Sequence, residues 1–245
     1  MTRSLDSLTV ARDYLRRGVR ATIAGTSRAL LPAEWRRRLA VKAPWLPVAV
    51  VAERQAGPVK DAAFFERHFA ASEDDPYGFA TNEWELVKYE RTLAVCDPRP
   101  GASVLELACA SGVFTRMLAP RCGALLAVDI SEIAVERARA RVAEFAHVRC
   151  ERCTLPDQMP PGRFDLIVCS DVLTYFTEDD IRASARAMAA RTAPGGAIVV
   201  VNHWRRITTE PERMFELLRE ELVDFHESQS EQLERHRIVR FDRFR

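Results

Sequence analysis

The chain has no run of apolar residues long enough to cross a bilayer, so no integral membrane contact is expected. Its start carries no signal-peptide pattern, and the expected setting is therefore cytoplasmic. It has no excess of either charge: 36 Lys and Arg stand against 35 Asp and Glu. That balance argues against a nucleic-acid partner. It also lacks metal-ligand spacing. Cys150 and Cys153 form a CxxC, but no second pair of ligands follows at similar spacing. The pair falls at the end of an expected strand, whereas a redox CxxC opens a helix. The six cysteines are thus expected as reduced thiols, with no disulfide framework and no metal.

The absence that says most is of glycine in a single turn. Val104–Leu107 reads as a buried strand, Ala108-Cys109-Ala110-Ser111-Gly112 as a tight turn, and Val113 as the start of a helix. A second strand, Leu125–Val128, then ends in Asp129. A small-residue turn between strand and helix, with an acid ending the next strand, is how an α/β sheet holds an adenosine-containing ligand. A dinucleotide needs three glycines there, so that its pyrophosphate can rest on the helix N-terminus. Here Ala108 and Ala110 occupy two of those places, and Glu106 at the strand end would repel a pyrophosphate. S-adenosylmethionine has no phosphate and carries an ammonium group, which an acid tolerates. The pattern therefore favours that cofactor over a nicotinamide dinucleotide.

The run Leu105–Thr115 with Leu118-Ala119-Pro120 resembles the class I methyltransferases, and more closely the nodulation-factor N-methyltransferases (NodS-like). Phe164–Val168 with Asp171-Val172-Leu173 and Tyr175 extends the likeness, as does Ala193-Pro194-Gly195-Gly196. Asp75-Pro76-Tyr77 and Glu85–Tyr89 lie upstream, and Arg240–Arg245 closes the chain. The resemblance covers residues 72–245. It implies a doubly wound α/β fold of the Rossmann-like methyltransferase kind, with a mostly parallel seven-stranded sheet and an antiparallel final strand over Ile238–Phe244. It further implies N-methylation of an amine, such as an amino sugar or natural-product intermediate. O-methylation of a sugar or polyketide hydroxyl, and a non-enzymatic cofactor-binding regulatory module, are the alternatives.

Residues 1–60 fall outside the resemblance and read as a basic helical N-terminal extension. Ten Lys and Arg stand against three Asp and Glu in the first fifty residues. Helical patterns run over Leu8–Ala24 and Glu34–Val41, before Pro44, Pro47, Gly57 and Pro58 break them. Arg36-Arg37-Arg38 could meet a membrane surface or an acidic partner. The alternative is a solvated arm packed on the domain or on a second copy in a homodimer. Residues 61–245 are expected as the methyltransferase domain. Its first part, 61–96, is helical, interrupted near Asp74–Pro76, and unusually aromatic; by resemblance it is a lid over the cofactor. From residue 102 onward strand and helix alternate. Ser131 caps a helix over 132–145, another spans 178–191, and Gly195-Gly196 turn into the strand 197–202.

Ligands of open α/β sheets sit at the C-terminal ends of parallel strands. Glu106, Ala108, Ala110, Gly112, Asp129, Leu155 and Ser170 all belong there. Asp129 is the candidate acceptor for the ribose hydroxyls, Ile130 for packing on adenine, and Thr154 and Leu155 for its edge. Many relatives carry an acid where Thr154 stands, and a hydroxyl accepts more weakly. Tyr77, Lys88 and Tyr89 are the lid candidates, with Lys88 for the cofactor carboxylate and Tyr89 for its methionine end. For a small-molecule acceptor, an amine must lose a proton before it attacks. His203, with Trp204 beside it, is the candidate base. Asp171 is the candidate for holding an ammonium group, and Tyr175 for orienting a hydroxyl.

Overall fold

In this computed structural model the described residues are 62–71, 77–204 and 207–245. The expected extension over 1–60, with its Arg36–Arg38 run, and the Asp74–Pro76 interruption lie outside them. Two helices open the described chain, α1 (Ala62–Ala70) and α2 (Glu83–Cys96). Strands and helices then alternate: β1 (Ser103–Leu107), α3 (Val113–Leu118), β2 (Ala124–Asp129), α4 (Glu132–Arg141), β3 (Val148–Arg152), β4 (Phe164–Ser170) and α5 (Glu178–Arg191). After β5 (Thr192–His203) come α6 (Pro211–Glu221), β6 (Phe225–Gln232) and β7 (His236–Arg243).

The seven strands form one sheet in the order β3-β2-β1-β4-β5-β7-β6. The first five are parallel, and β7 runs antiparallel between β5 and β6. The central strands read as near-continuous apolar runs because helices cover both their faces. Leu105, Leu107, Ile167, Ile198 and Val200 face α5 and α6 through Ile181, Met188, Phe215 and Leu218. Val104, Leu166, Val168, Val199 and Val201 face α2 and α3 through Leu93, Phe114 and Leu118. Each such side chain contributes about 1.5–3 kcal/mol when fully buried. The order reverses between β1 and β4, which opens a crevice at the C-terminal ends of the strands, beside Asp129, Ser170 and His203.

Two local expectations change, and one strand was not foreseen. The helix expected over 132–145 ends at Arg141, because Val142 leaves helical geometry (φ −110°, ψ 13°). Val142 and Phe145 thereby fold back onto Ala138 and Cys150. Gly195-Gly196 lie within β5 at a break in its register with β4, where Phe164 pairs Thr192 and Leu166 pairs Ala197. A Cβ at Gly196 would lie 2.8 Å from the Asp165 carbonyl oxygen, so glycine is needed there for close approach. Lastly, β6 had no signature of its own. Its sequence, FHESQSEQ, is polar on both faces because it is an exposed edge strand.

Candidate active site

The turn after β1 takes the left-handed backbone conformation three times, at Ala108 (φ 59°), Ala110 (φ 48°) and Gly112 (φ 76°). The first two are places where a dinucleotide fingerprint would put glycine, and Gly112 lies one residue before the third. A non-glycine residue pays roughly 1–2 kcal/mol for this conformation, and hydrogen bonds hold it here. The Cys109 N–H donates to the Val128 carbonyl and the Gly112 N–H to the Cys109 carbonyl, each at 2.9 Å. The Ala110 N–H donates to Asp129 Oδ2 at 2.9 Å. Only at Gly112 is a side chain sterically excluded, since a Cβ would stand 2.8 Å from Ala138 Cα. Alanine is tolerated at the other two positions for that reason.

Asp129 organises the end of β2. Its second oxygen accepts the Ser131 N–H at 3.0 Å, and its carbonyl accepts the Cys153 N–H at 2.8 Å. Burial raises its pKa above the usual carboxylate value, against the pull of the backbone N–H groups, and the Glu66 charge adds to the rise. Ile130 and Leu155 are half-buried beside it. The Thr154 N–H donates to Gln158 Oε1 at 2.9 Å. Glu106, 3% exposed, has a buried Oε2 without a hydrogen-bond partner. Burial pushes its pKa up to about 8, opposed by the Thr115 hydroxyl and reinforced by Asp129.

A second cluster lies across the crevice. Asp171, at φ 53°, is anchored by its N–H to the Val201 carbonyl at 2.9 Å. Its Oδ1 accepts the His203 N–H at 2.9 Å. Its Oδ2 accepts from Lys88 Nζ at 2.7 Å and lies 3.6 Å from His236 Nε2. Burial would raise the Asp171 pKa, but Lys88 and then His236 bring it below the usual value. Lys88, 2% exposed, also meets Glu85 at 2.5 Å, and its Nζ sits 4.7 Å from the centre of the Tyr89 ring. The Lys88 ammonium is thus engaged by two carboxylates of the chain itself. Tyr89 stacks on Phe114 at 5.3 Å inside the core. His203 and His236 are cross-strand partners, with rings edge to face at 4.8 Å. Tyr175 packs on Phe65 at 5.2 Å. Tyr77 packs on His68 at 4.6 Å, close enough to Tyr175 and Asp129 that both add to the rise in its pKa caused by burial.

The crevice thereby gathers the expected residues into two groups. Ala108, Ala110, Gly112, Asp129, Ile130, Thr154 and Leu155 surround the ends of β1, β2 and β3. Lys88, Asp171, Tyr175 and His203 surround the ends of β4 and β5, where Ser170 stands half-buried. Glu66, Glu85 and His236 were not foreseen. Glu85 had a signal in its spacing of three from Lys88, whereas His236 required knowledge of the β5–β7 register. Cys150 and Cys153 belong to different core clusters and are free thiols. Among the described residues no group of His, Cys, Asp or Glu could hold a metal ion, and no helix is long and apolar enough to cross a membrane.

This sheet order, with a left-handed turn after β1 and a buried acid ending β2, defines a class I S-adenosylmethionine-dependent methyltransferase fold. A family model for Nodulation protein S (NodS) matches residues 58–239, and the chain belongs to that family. It is 35% identical over 137 residues to Nodulation protein S of Bradyrhizobium diazoefficiens, a match covering 55% of this chain and 64% of that protein. The match to Nodulation protein S of Sinorhizobium fredii is 31% identical over 152 residues and covers 61% and 69% of the two chains. The crystal structure of N-methyltransferase NodS from Bradyrhizobium japonicum WM9 in complex with S-adenosyl-L-homocysteine superposes with a TM-score of 0.66 at 26% identity. That superposition covers 74% of this chain and 97% of the other. The residues present fit S-adenosylmethionine. The turn exposes backbone for close approach, Asp129 retains acceptor capacity, and the unpartnered Glu106 oxygen suits a cation.

Proposed function

We propose that the protein transfers a methyl group from S-adenosylmethionine to the nitrogen of a small-molecule amine, an amino sugar being the first class to try. The observation that carries this reading is the pairing of two acid-lined groups across one crevice, the Asp129 end and the Asp171–His203 end, on a NodS-family fold. When bound, S-adenosylmethionine supplies an electrophilic methyl group on a sulfonium. Asp129 accepts from the ribose hydroxyls, Ile130 packs on adenine, and Thr154 and Leu155 meet its edge. Glu106 faces the cofactor's ammonium end. Tyr77, Lys88 and Tyr89 shape the lid side, and Ser170 stands at the end of β4.

The chain's chemical work is then to bind, align and deprotonate. The acceptor enters as an ammonium ion drawn to the carboxylate side, where Asp171 fixes the backbone of His203. The His203 imidazole takes the proton and frees the nitrogen lone pair for in-line attack. Tyr175 orients a neighbouring hydroxyl. In this reading residues 61–245 form the methyltransferase domain, 61–96 its lid, and 1–60 an added segment of a cytoplasmic enzyme.

The test is incubation with S-adenosylmethionine and paired acceptors, a free amino sugar and its N-acetylated form, read by mass spectrometry. N-methyl product from the free amine alone is expected. Methylation of the acetylated sugar at oxygen would favour the O-methyltransferase reading. Cofactor binding without turnover across a broad acceptor panel would favour a regulatory module.

A further inference from the structure

One carboxyl in the lid is half-buried, with one of its oxygens unmet. Positions 62, 65, 66 and 69 share a face of α1. Phe69 is 2% exposed, and Phe65 packs on Tyr175, so this is the inward face. Glu66 sits within it. A carboxyl at such a position normally has a partner, because burial without one is costly. Yet Glu66 Oε2 is buried without a hydrogen-bond partner, and no ion pair reaches Glu66 among the described residues. His68 Nε2, two residues on, is buried and unpartnered too.

The place where Glu66 stands gives the ligand chemistry. Helix α1 packs against α4, which begins three residues after Asp129, and the Glu66 charge is felt at Asp129. Two acids at one end of the crevice, with no ion pair to either among the described residues, call for a ligand that donates hydrogen bonds to both. Asp129 already accepts one backbone N–H on each oxygen and keeps spare lone pairs. Glu106 Oε2, buried and unpartnered in the same crevice, is a further independent mark of a ligand-shaped gap. A vicinal diol meets both requirements without bringing a charge of its own.

We infer that Glu66, carried by helix α1 to the Asp129 end of the crevice, is a second ribose-binding carboxyl. The inference rests on the cofactor reading above and adds a residue to it. Glu66 acts on binding, and no step of methyl transfer is routed through it.

The experiment is calorimetric titration of the full chain and its Glu66→Ala and Glu66→Gln variants. Two probes are used: S-adenosylhomocysteine, and 5′-methylthioadenosine, which keeps the ribose but lacks the amino-acid end. Glu66→Ala should weaken both probes about tenfold, the loss of one charge-assisted hydrogen bond. Glu66→Gln, which keeps a neutral acceptor, should weaken both by less. The ligand-free Glu66→Gln protein should melt no lower than the wild type, since the buried Glu66 Oε2 has no hydrogen-bond partner to lose. A merely structural Glu66 would make the variant melt lower. Unchanged affinity in the variants, against clear binding by the wild type, would overturn the inference alone. Weakening confined to S-adenosylhomocysteine would overturn it too, by placing Glu66 at the amino-acid end. Failure of the wild type to bind either probe would overturn the cofactor reading itself.

Discussion

Asp129 is one carboxyl with three jobs. It braces the β1 turn through Ala110, caps the approach to α4 through Ser131, and presents its spare lone pairs to the crevice. Asp129→Ala should cost one or two charge-assisted hydrogen bonds to the ribose, roughly 1.5–3 kcal/mol each. S-adenosylhomocysteine affinity should fall at least about tenfold by calorimetry, and unchanged affinity in a folded variant would make Asp129 purely structural. Lys88 answers a different question. Its ammonium is shared between Asp171 and Glu85, whose side chains are 28% and 16% exposed. Lys88→Met removes the cation that the two acids share, and stability should drop by about 3 kcal/mol, moderated by their partial exposure. Urea unfolding would measure it. Asp129 was legible in the sequence because an acid closing the second strand is a local pattern. Glu66 and His236 were not, because what makes them notable is a missing partner in one case and a cross-strand register in the other.

Helices and strands hold these residues by close fits that differ in how plainly the sequence shows them. Helix α5 announces itself: the Thr177 hydroxyl accepts the Asp180 N–H and the Asp180 carboxyl accepts the Thr177 N–H, a capping box written in adjacent residues. The packing of α3 on α4 is less plain. Gly112, at φ 76°, lets the start of α3 approach Ala138. Gly112→Ala combines a left-handed alanine with a steric clash against backbone, and about 2–3 kcal/mol of stability should be lost. A thermal or urea midpoint would show it, and a neutral result would mean that α4 moves aside freely. The strands buried on both faces, β1, β4 and β5, were legible as apolar runs. The polar β6 was not, because it is held by its ladder to β7 and by little side-chain burial. The bulge at Gly195-Gly196 likewise depends on the neighbouring strand.

For the molecule as a whole, two buried groups set opposite pH limbs of stability. His236 is held neutral, chiefly by burial, with its pKa lowered from 6.5 to about 4. A lowered folded-state value contributes stability that is full above pH 6.5 and is lost as pH falls towards 4. Glu106 is raised from 4.5 to about 8, so its contribution is full below pH 4.5 and is lost as pH rises towards 8. The two oppose each other between 4.5 and 6.5, and above 6.5 only the Glu106 limb remains. The ligand-free protein should therefore lose on the order of 2 kcal/mol between pH 6.5 and 8. Glu106→Gln should abolish that loss in urea melts at the two pH values; an identical loss in the variant would move its origin elsewhere. The doubly wound sheet was legible from the alternation of strands and helices, and its seven mostly parallel strands with an antiparallel last one from the family resemblance; the strand order was not read. The cluster at the β4–β5 end of the crevice was not, since Lys88, Asp171, His203 and His236 come from four separate segments. The most direct test of the account is calorimetric titration of the full chain with S-adenosylhomocysteine, with NADH as the control. Micromolar binding of S-adenosylhomocysteine and none of NADH is predicted; binding of NADH, or of neither, would contradict the assignment of the crevice.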